Sequence, residues 1–195
     1  ASLGKFRANY AFQVKQMLGR RLRREENMID TKRLIIRPFI DSDLHNDLSW
    51  FFDEDVMKFI PNGKDKNTED LNKRITNYIN HYNKNGFSKY LIILKSTKEP
   101  IGDAGLLRIE NTDYIELGYR LKKSYWGNGI ATEACRGIIN YSFNNLSLDK
   151  IQAITEIENK KSIYILEKKL GFSYLRSEQI YGENMRLYEI IKNHY

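Results

Sequence analysis

The sequence predicts a mixed α/β fold, in the α+β sense, with one sheet of six to seven strands flanked by helices. Three observations carry that prediction. Short runs rich in β-branched and aromatic residues alternate with longer stretches of helical period. A chain of 195 residues with 41% hydrophobic residues and only 3 prolines holds enough apolar material for one core. Two glycines one residue apart, Gly127 and Gly129, stand where a strand run gives way to a helical run.

The elements follow in order along the chain. Residues 33–37 alternate into a first strand that Pro38 helps to end. Asp41, Ser42 and Asp43 offer N-cap side chains for a short amphipathic helix carrying Leu44, Leu48, Phe51 and Phe52, and a second short helix is expected over 54–60. Over 68–85 the positions Leu71, Ile75, Tyr78, Ile79 and Tyr82 keep helical spacing, with Thr68 as cap and Gly86 as exit. Strands over 89–95 and 101–109 are joined by a hairpin connection, and a fourth strand covers 114–121. A helix over 129–145 sets Ala134, Ile138 and Tyr141 on one face. A fifth strand over 150–156, a helix over 159–170 and two strands near 172–179 and 184–191 complete the fold.

Several function classes fall away on composition. One cysteine, Cys135, forms no internal disulfide, and His45, His81 and His194 have no partners at ligand spacing, so neither a disulfide scaffold nor a metal site is expected. Cys135 sits beside Ala134 and near Gly137, which suits a small buried hydrophobe. No stretch approaches the roughly 18 apolar residues of a membrane span and none reads as a signal peptide, so a cytoplasmic protein is expected.

The formal charge of +7 is unevenly placed. Residues 1–27 hold seven basic and two acidic residues, +5 of the total, whereas 28–195 holds 25 basic and 23 acidic. A DNA-binding surface on the domain is therefore not expected. Two units are expected: a basic extension over 1–27, either foreign to the domain or a native arm, and the domain over 28–195, since Met28 offers a second start. Within the extension Leu3, Phe6, Tyr10, Val14, Met17, Leu18 and Leu22 form an amphipathic helical stripe. A nucleic-acid module driven by 1–27 would bind RNA in a salt-dependent way and lose that binding on their deletion.

The most informative stretch runs from Tyr119 to Ala134. Glycines at 127 and 129 directly before a helix turn the backbone so that first-turn N–H groups point outward, where the helix dipole adds positive potential. That arrangement is an anion cradle suited to a diphosphate. A dinucleotide fingerprint fails because Thr132 stands where its third glycine belongs, and a P-loop fails for want of Gly-Lys-Ser/Thr. Alone, the pattern is also that of a tight turn. A second constellation, Asn159-Lys160-Lys161-Ser162 followed by Glu167-Lys168-Lys169-Leu170-Gly171-Phe172, opens and closes the later helix.

Together these pieces resemble the GNAT superfamily of acetyl-CoA-dependent N-acetyltransferases, closest to its RimJ/RimL-type branch, which includes enzymes acetylating ribosomal-protein N-termini. The early strand ending at Pro38, the Pro100-Ile101-Gly102 turn, Tyr125-Trp126-Gly127-Asn128-Gly129-Ile130-Ala131-Thr132-Glu133-Ala134 and the later-helix motifs carry the resemblance over about 30–192.

The resemblance implies a sheet splayed between the fourth and fifth strands, where unpaired backbone at Gly118, Tyr119, Arg120 and Leu121 bonds the pantetheine arm of acetyl-CoA. It implies that Gly127, Asn128, Gly129, Ile130, Ala131 and Thr132 surround the pyrophosphate, with Trp126 where many members have Gln or Arg, and that Asn159 contacts the cofactor. Glu116 is the candidate base and Ser162 the candidate partner of the thiol. The tyrosine that many members place seven residues after the asparagine is replaced by Leu166, and the interval from Ser162 to Gly171 is one residue longer than the family pattern. The acceptor implied is a primary amine of a protein N-terminus or a small molecule. By the same resemblance Asp41, Asp43, Asp47, Asp53, Glu54 and Asp55 cluster on helices that border the acceptor cleft in the family, where carboxylates would attract a cationic amine, and a homodimer is an open expectation. A CoA-binding sensor or assembly domain without turnover is the alternative reading.

Overall fold

The computed structural model describes residues 28–61 and 63–195. The segment 1–27 and its amphipathic stripe lie outside the described residues. Among these, eight strands form one sheet in the order β1 (Ile29–Asp30), β2 (Leu34–Pro38), β3 (Lys89–Leu94), β4 (Pro100–Arg108), β5 (Ile115–Leu121), β6 (Lys150–Thr155), β8 (Glu183–Ile191), β7 (Ser173–Ile180). Neighbours are antiparallel except β5 and β6, which run parallel. The strand beyond the expected six to seven is β1, which sets Ile29 opposite Ile36 and Asp30 opposite Ile35 and is too short to show a period.

The segment 41–52 departs from the single amphipathic helix expected of it. Asp43 turns its carboxylate inward, accepting from Arg37 Nη1 and Nη2 at 2.8 and 2.7 Å and from Ile40 N–H at 2.9 Å. The chain takes two 3-10 turns instead, Asp41–His45 and Ser49–Phe51. The helix expected over 54–60 is the short α1 (Glu54–Met57), capped by Asp53. Its successor α2 (Thr68–Asn85) is capped by Asn67 rather than Thr68, because Asn67 Oδ1 accepts from Asp70 N–H at 3.0 Å. Gly86, at φ 78°, ends it as expected.

Alternation along the central strands separates two cores. Tyr90, Ile92, Ala104, Leu106, Leu117 and Leu121 pack with Ile130, Ala134, Ile138 and Ile139 of α3 (Ile130–Asn144). Cys135 is wholly buried here, and burial pushes its thiol up to about 12, which fits a packing role. On the other face Leu91 packs with Trp50, Phe51, Met57, Leu71, Ile75 and Tyr78 beneath α2.

That second face carries a buried ion pair. Arg120 Nη2 donates to Asp103 Oδ2 at 2.5 Å and to Tyr78 Oη at 2.7 Å, and Trp50 Nε1 donates to Asp103 Oδ1 at 2.8 Å. The pair joins β4, β5, α2 and the 49–51 turn. Removing one charge strands the other without water. Asp103→Leu should lower unfolding stability by about 3–5 kcal/mol in urea titrations, whereas Asp103→Leu with Arg120→Met should recover most of the loss. A single-variant loss below about 1 kcal/mol would contradict this role.

Candidate active site

The site begins where the sheet comes apart. β5 is laddered to β4 from Gly102–Leu121 through Arg108–Ile115, but it meets β6 at one pair, Glu116–Gln152. Buried Gln152 closes the narrow end: its Oε1 accepts from Ile115 N–H at 2.9 Å and its Nε2 donates to Glu189 Oε2 at 2.7 Å. Beyond Glu116 the two strands have no ladder among the described residues.

Register identifies which backbone groups face this gap. Lys122 N–H donates to Ile101 O on β4, and antiparallel pairs alternate between bonded and non-bonded positions. Gly118 and Arg120 therefore spend their backbone groups on β4, while Tyr119 and Leu121 turn theirs toward β6. Leu121 O accepts from Trp126 Nε1 at 3.0 Å, so the indole braces the loop that leaves the strand. Of the four positions implied for pantetheine, Tyr119 and Leu121 have the suitable direction. The Arg120 side chain is committed to Asp103 on the opposite side.

The loop after β5 leads into the N-terminus of α3. Gly127 and Gly129 lie at φ 77° and 71°, a region that side-chain-bearing residues rarely adopt. Gly129 is the N-cap and no side chain caps it, so the N–H groups of Ile130, Ala131 and Thr132 precede the first intrahelical bond, Glu133 N–H to Gly129 O at 3.0 Å. A Cβ on Gly127 would meet nothing within 4 Å, and one on Gly129 only Arg33 Nη2 at 3.8 Å. This open, capless turn at a fifteen-residue helix fits a diphosphate.

Charge at the cradle is adjusted by contacts of Glu133 with Arg33 and Thr31 that sequence patterning did not single out. Glu133, an unfavourable anion beside a phosphate, is engaged by Arg33 Nε at 2.6 Å, Arg33 N–H at 2.7 Å and Thr31 Oγ1 at 2.7 Å. Desolvation opposes ionisation of Glu133, yet these hydrogen bonds and Arg33 hold its carboxyl below the usual range. Arg33 Nη1 also donates to Asn128 O at 2.9 Å, and Lys161 Nζ lies 4.9 Å from the centroid of the Trp126 ring. Arg33 and Lys161 thus bring positive charge to either side of the loop. Both contacts span distant parts of the chain.

The later helix, α4 (Lys160–Tyr164), continues as a π turn over Ile165–Leu170. This wider turn absorbs the extra residue noted between Ser162 and Gly171, and Gly171 N–H and Phe172 N–H both return to Leu166 O. Leu166 is buried in the core. Asn159 caps the helix, accepting from Ser162 N–H at 3.2 Å. Ser162 Oγ lies 3.1 Å from Tyr119 Oη, a hydroxyl pair that bridges α4 and β5. Burial raises the Tyr119 phenol well above its ordinary value, so it remains protonated.

Glu116 projects from the other face of β5. It is half-buried and accepts from Tyr181 Oη at 2.8 Å across from the β7–β8 turn. Burial raises its carboxyl above the usual range, against the opposing pull of Lys89, Tyr181 and Arg120. The acidic cluster is largely committed elsewhere: Asp43 to Arg37, Asp47 to Lys122, Asp55 to Lys123, Glu54 to Lys64, and Asp53 to its cap. Among the described residues no group of three or more His, Cys, Asp and Glu is placed to hold a metal ion. No described helix is long and apolar enough to cross a membrane.

The chain matches the acetyltransferase (GNAT) domain family over residues 33–173. It is 32% identical over 145 residues to the uncharacterized protein YkkB of Bacillus subtilis (strain 168), covering 71% of this chain and 80% of that one. Its fold resembles the ribosomal-protein-S5-alanine acetyltransferase from Vibrio fischeri, with a TM-score of 0.70 and 21% identity over 85% of this chain and 97% of that one. It also resembles spermidine N-acetyltransferase from Vibrio cholerae, solved in complex with CoA and spermine, with a TM-score of 0.70 and 19% identity over 84% and 98% of the two chains. The chain belongs to the GNAT acetyltransferase family and is an acyltransferase.

Proposed function

We propose that this enzyme transfers the acetyl group of acetyl-CoA directly to a primary amine, on a protein N-terminus or on a small molecule such as a polyamine. The observation that carries the reading is the opposed placement of Glu116 and the Tyr119–Ser162 pair on the two faces of β5, with the open strand edge between them. The names of the relatives that act on ribosomal proteins and spermidine support the acceptor class.

The chain's own groups have separable tasks. Backbone N–H groups of Ile130, Ala131 and Thr132, in the loop formed by Gly127, Asn128 and Gly129, would hold the pyrophosphate, and Tyr119 and Leu121 the pantetheine amides. Trp126 braces the loop and Asn159 orients the Ser162 turn. Bound acetyl-CoA supplies the thioester carbonyl that the amine attacks. A lysine-like amine or an N-terminus is mainly protonated at neutral pH, with reference values near 10.4 and roughly 7.7–8.0. The Glu116 carboxylate takes that proton, directly or through one water. Ser162 Oγ, backed by Tyr119 Oη, returns a proton to the departing sulfur. As the C–N bond forms and the C–S bond breaks, the nitrogen gives up a second proton, which replaces the one that Ser162 Oγ hands to sulfur. The products are a neutral amide and a free thiol, one proton remains on Glu116 to pass to water, and no covalent enzyme intermediate forms.

Because the base must be ionised, the rate rises with pH through the Glu116 midpoint, which burial sets above 4.5. In an assay of thiol release from acetyl-CoA with spermidine and with an alanine-initiated peptide, Glu116→Gln should lower kcat by about 10²–10⁴-fold. The KM for acetyl-CoA should change less than about twofold, since the carboxylate lies on the acceptor face. Full activity in that variant would remove Glu116 as base. Gly129→Val should remain folded, losing about 1–2 kcal/mol to left-handed strain, and should lose measurable acetyl-CoA binding in calorimetry. Unchanged binding would reduce the glycine loop to a turn.

A further inference from the structure

Behind Glu116 lies a buried cation that the reading above does not use. Lys89 opens β3 and is 7% exposed. In the sheet it stands opposite Gly105 of β4, which stands opposite Gly118 of β5. The three residues form one row on the acceptor face, and two of them have no side chain. Through the space this leaves, the lysine extends across two strands: Nζ donates to Gly105 O at 3.2 Å, and a Cβ on Gly118 would lie 2.4 Å from Nζ. The ammonium therefore sits over Gly118, two residues along the same face from Glu116.

Gly105 is constrained as well. At φ 155°, its Cβ would approach Ser88 O to 2.1 Å and Lys89 Cα to 2.7 Å. The close approach of β3 to β4 that brings Lys89 forward thus depends on the absence of a side chain at 105. Burying a lysine with one carbonyl acceptor is costly, and desolvation lowers its ammonium to about 8. It remains mostly charged at neutral pH.

The groups facing this pair come from every adjoining element. Around Lys89 are Glu116 and Arg120 on β5, Asp103 on β4, Cys135 on α3 and His81 on α2. Around Glu116 are Lys89, Arg120 and the Tyr181 hydroxyl. Arg120 is neutralised by Asp103 at 2.5 Å, His81 is held between Phe87 O and Arg108 N–H, and burial keeps the Cys135 thiol protonated. Among the described residues Lys89 has no carboxylate within 4 Å, whereas Arg120 has Asp103.

We propose that Lys89 is a positioning residue for proton removal: its ammonium, threaded across Gly105 and Gly118, holds the Glu116 carboxylate in its charged, proton-accepting form on the acceptor face. The inference rests on the role of Glu116 given above. Two residues along a strand span about 7 Å, and at such a spacing one charge in a partly buried site shifts a neighbour's titration by about one pH unit or more.

The test uses the full chain carrying δ-13C glutamate, with the Glu116 signal assigned by its loss in Glu116→Gln. In Lys89→Met and Lys89→Gln the Glu116 midpoint should rise by about one pH unit, and the acid limb of kcat/KM should rise with it, while activity recovers at higher pH. Lys89→Gln keeps a donor for Gly105 O without the charge, so it serves if the Met variant folds poorly. A midpoint unchanged in the folded variant, or a rate lowered equally at all pH values, would overturn the proposal. Full activity in Glu116→Gln would instead overturn the base assignment, and the carboxyl titration would still report the charge coupling by itself.

Discussion

Two parallel strands that share one residue pair are the constraint on which this molecule depends. β5 is committed to β4 over seven positions and β6 to β8 over six, so each has a full ladder on its outer side. The right-handed twist of adjacent strands adds to their divergence, and the Gln152 amide closes the end where they still meet. Elsewhere an open ladder within a sheet leaves backbone polar groups without partners and is costly. Here the cost produces a row of directed donors and acceptors at Tyr119 and Leu121, held rigid from behind. The same strand carries Glu116 on one face and Tyr119 on the other, so alternation alone sets a proton acceptor and a proton donor on opposite sides of one edge.

The rest of the fold keeps that strand straight and its faces distinct. Asp103, Arg120, Tyr78 and Trp50 tie the Glu116-bearing face of β4 and β5 to α2 and the 49–51 turn. Such a pair adds little net stability compared with apolar packing, but its directional bonds fix register where slippage would turn Glu116 into the wrong core. At the other end, Arg33 and Thr31 neutralise Glu133 and thereby leave the positive end of the α3 dipole available for an anion.

The sequence was legible where local chemistry decides. The strands at 89–94, 100–108 and 115–121 follow from short apolar and aromatic runs, the turn at Gly86 from its need for positive φ, and the turn into α3 from Gly127 and Gly129. Even the extra residue before Gly171 was visible as an irregular interval, and the π turn is its physical form. What could not be read depends on register between distant segments. Nothing local shows that Lys89 faces two stacked glycines, that Tyr119 reaches Ser162, or that Arg33 engages Glu133. The acidic cluster at 41–55 looked like a cation lure by composition, yet Arg37, Lys122, Lys123 and Lys64 take up most of it. One amphipathic helix was expected where Asp43 instead folds back on Arg37, because the pairing of the buried Asp43 carboxylate with the Arg37 guanidinium outweighs a short helical pattern.

The central claim is that the open edge of β5 and the capless start of α3 form one binding surface. Hydrogen–deuterium exchange of the full chain with and without saturating CoA measures it directly. The account predicts that exchange slows at Tyr119 and Leu121 and across Ile130–Thr132, with little change at Gly118 and Arg120, whose amides already bond β4. Slowing confined to other segments, or equal rates in both states despite demonstrated binding, would contradict it.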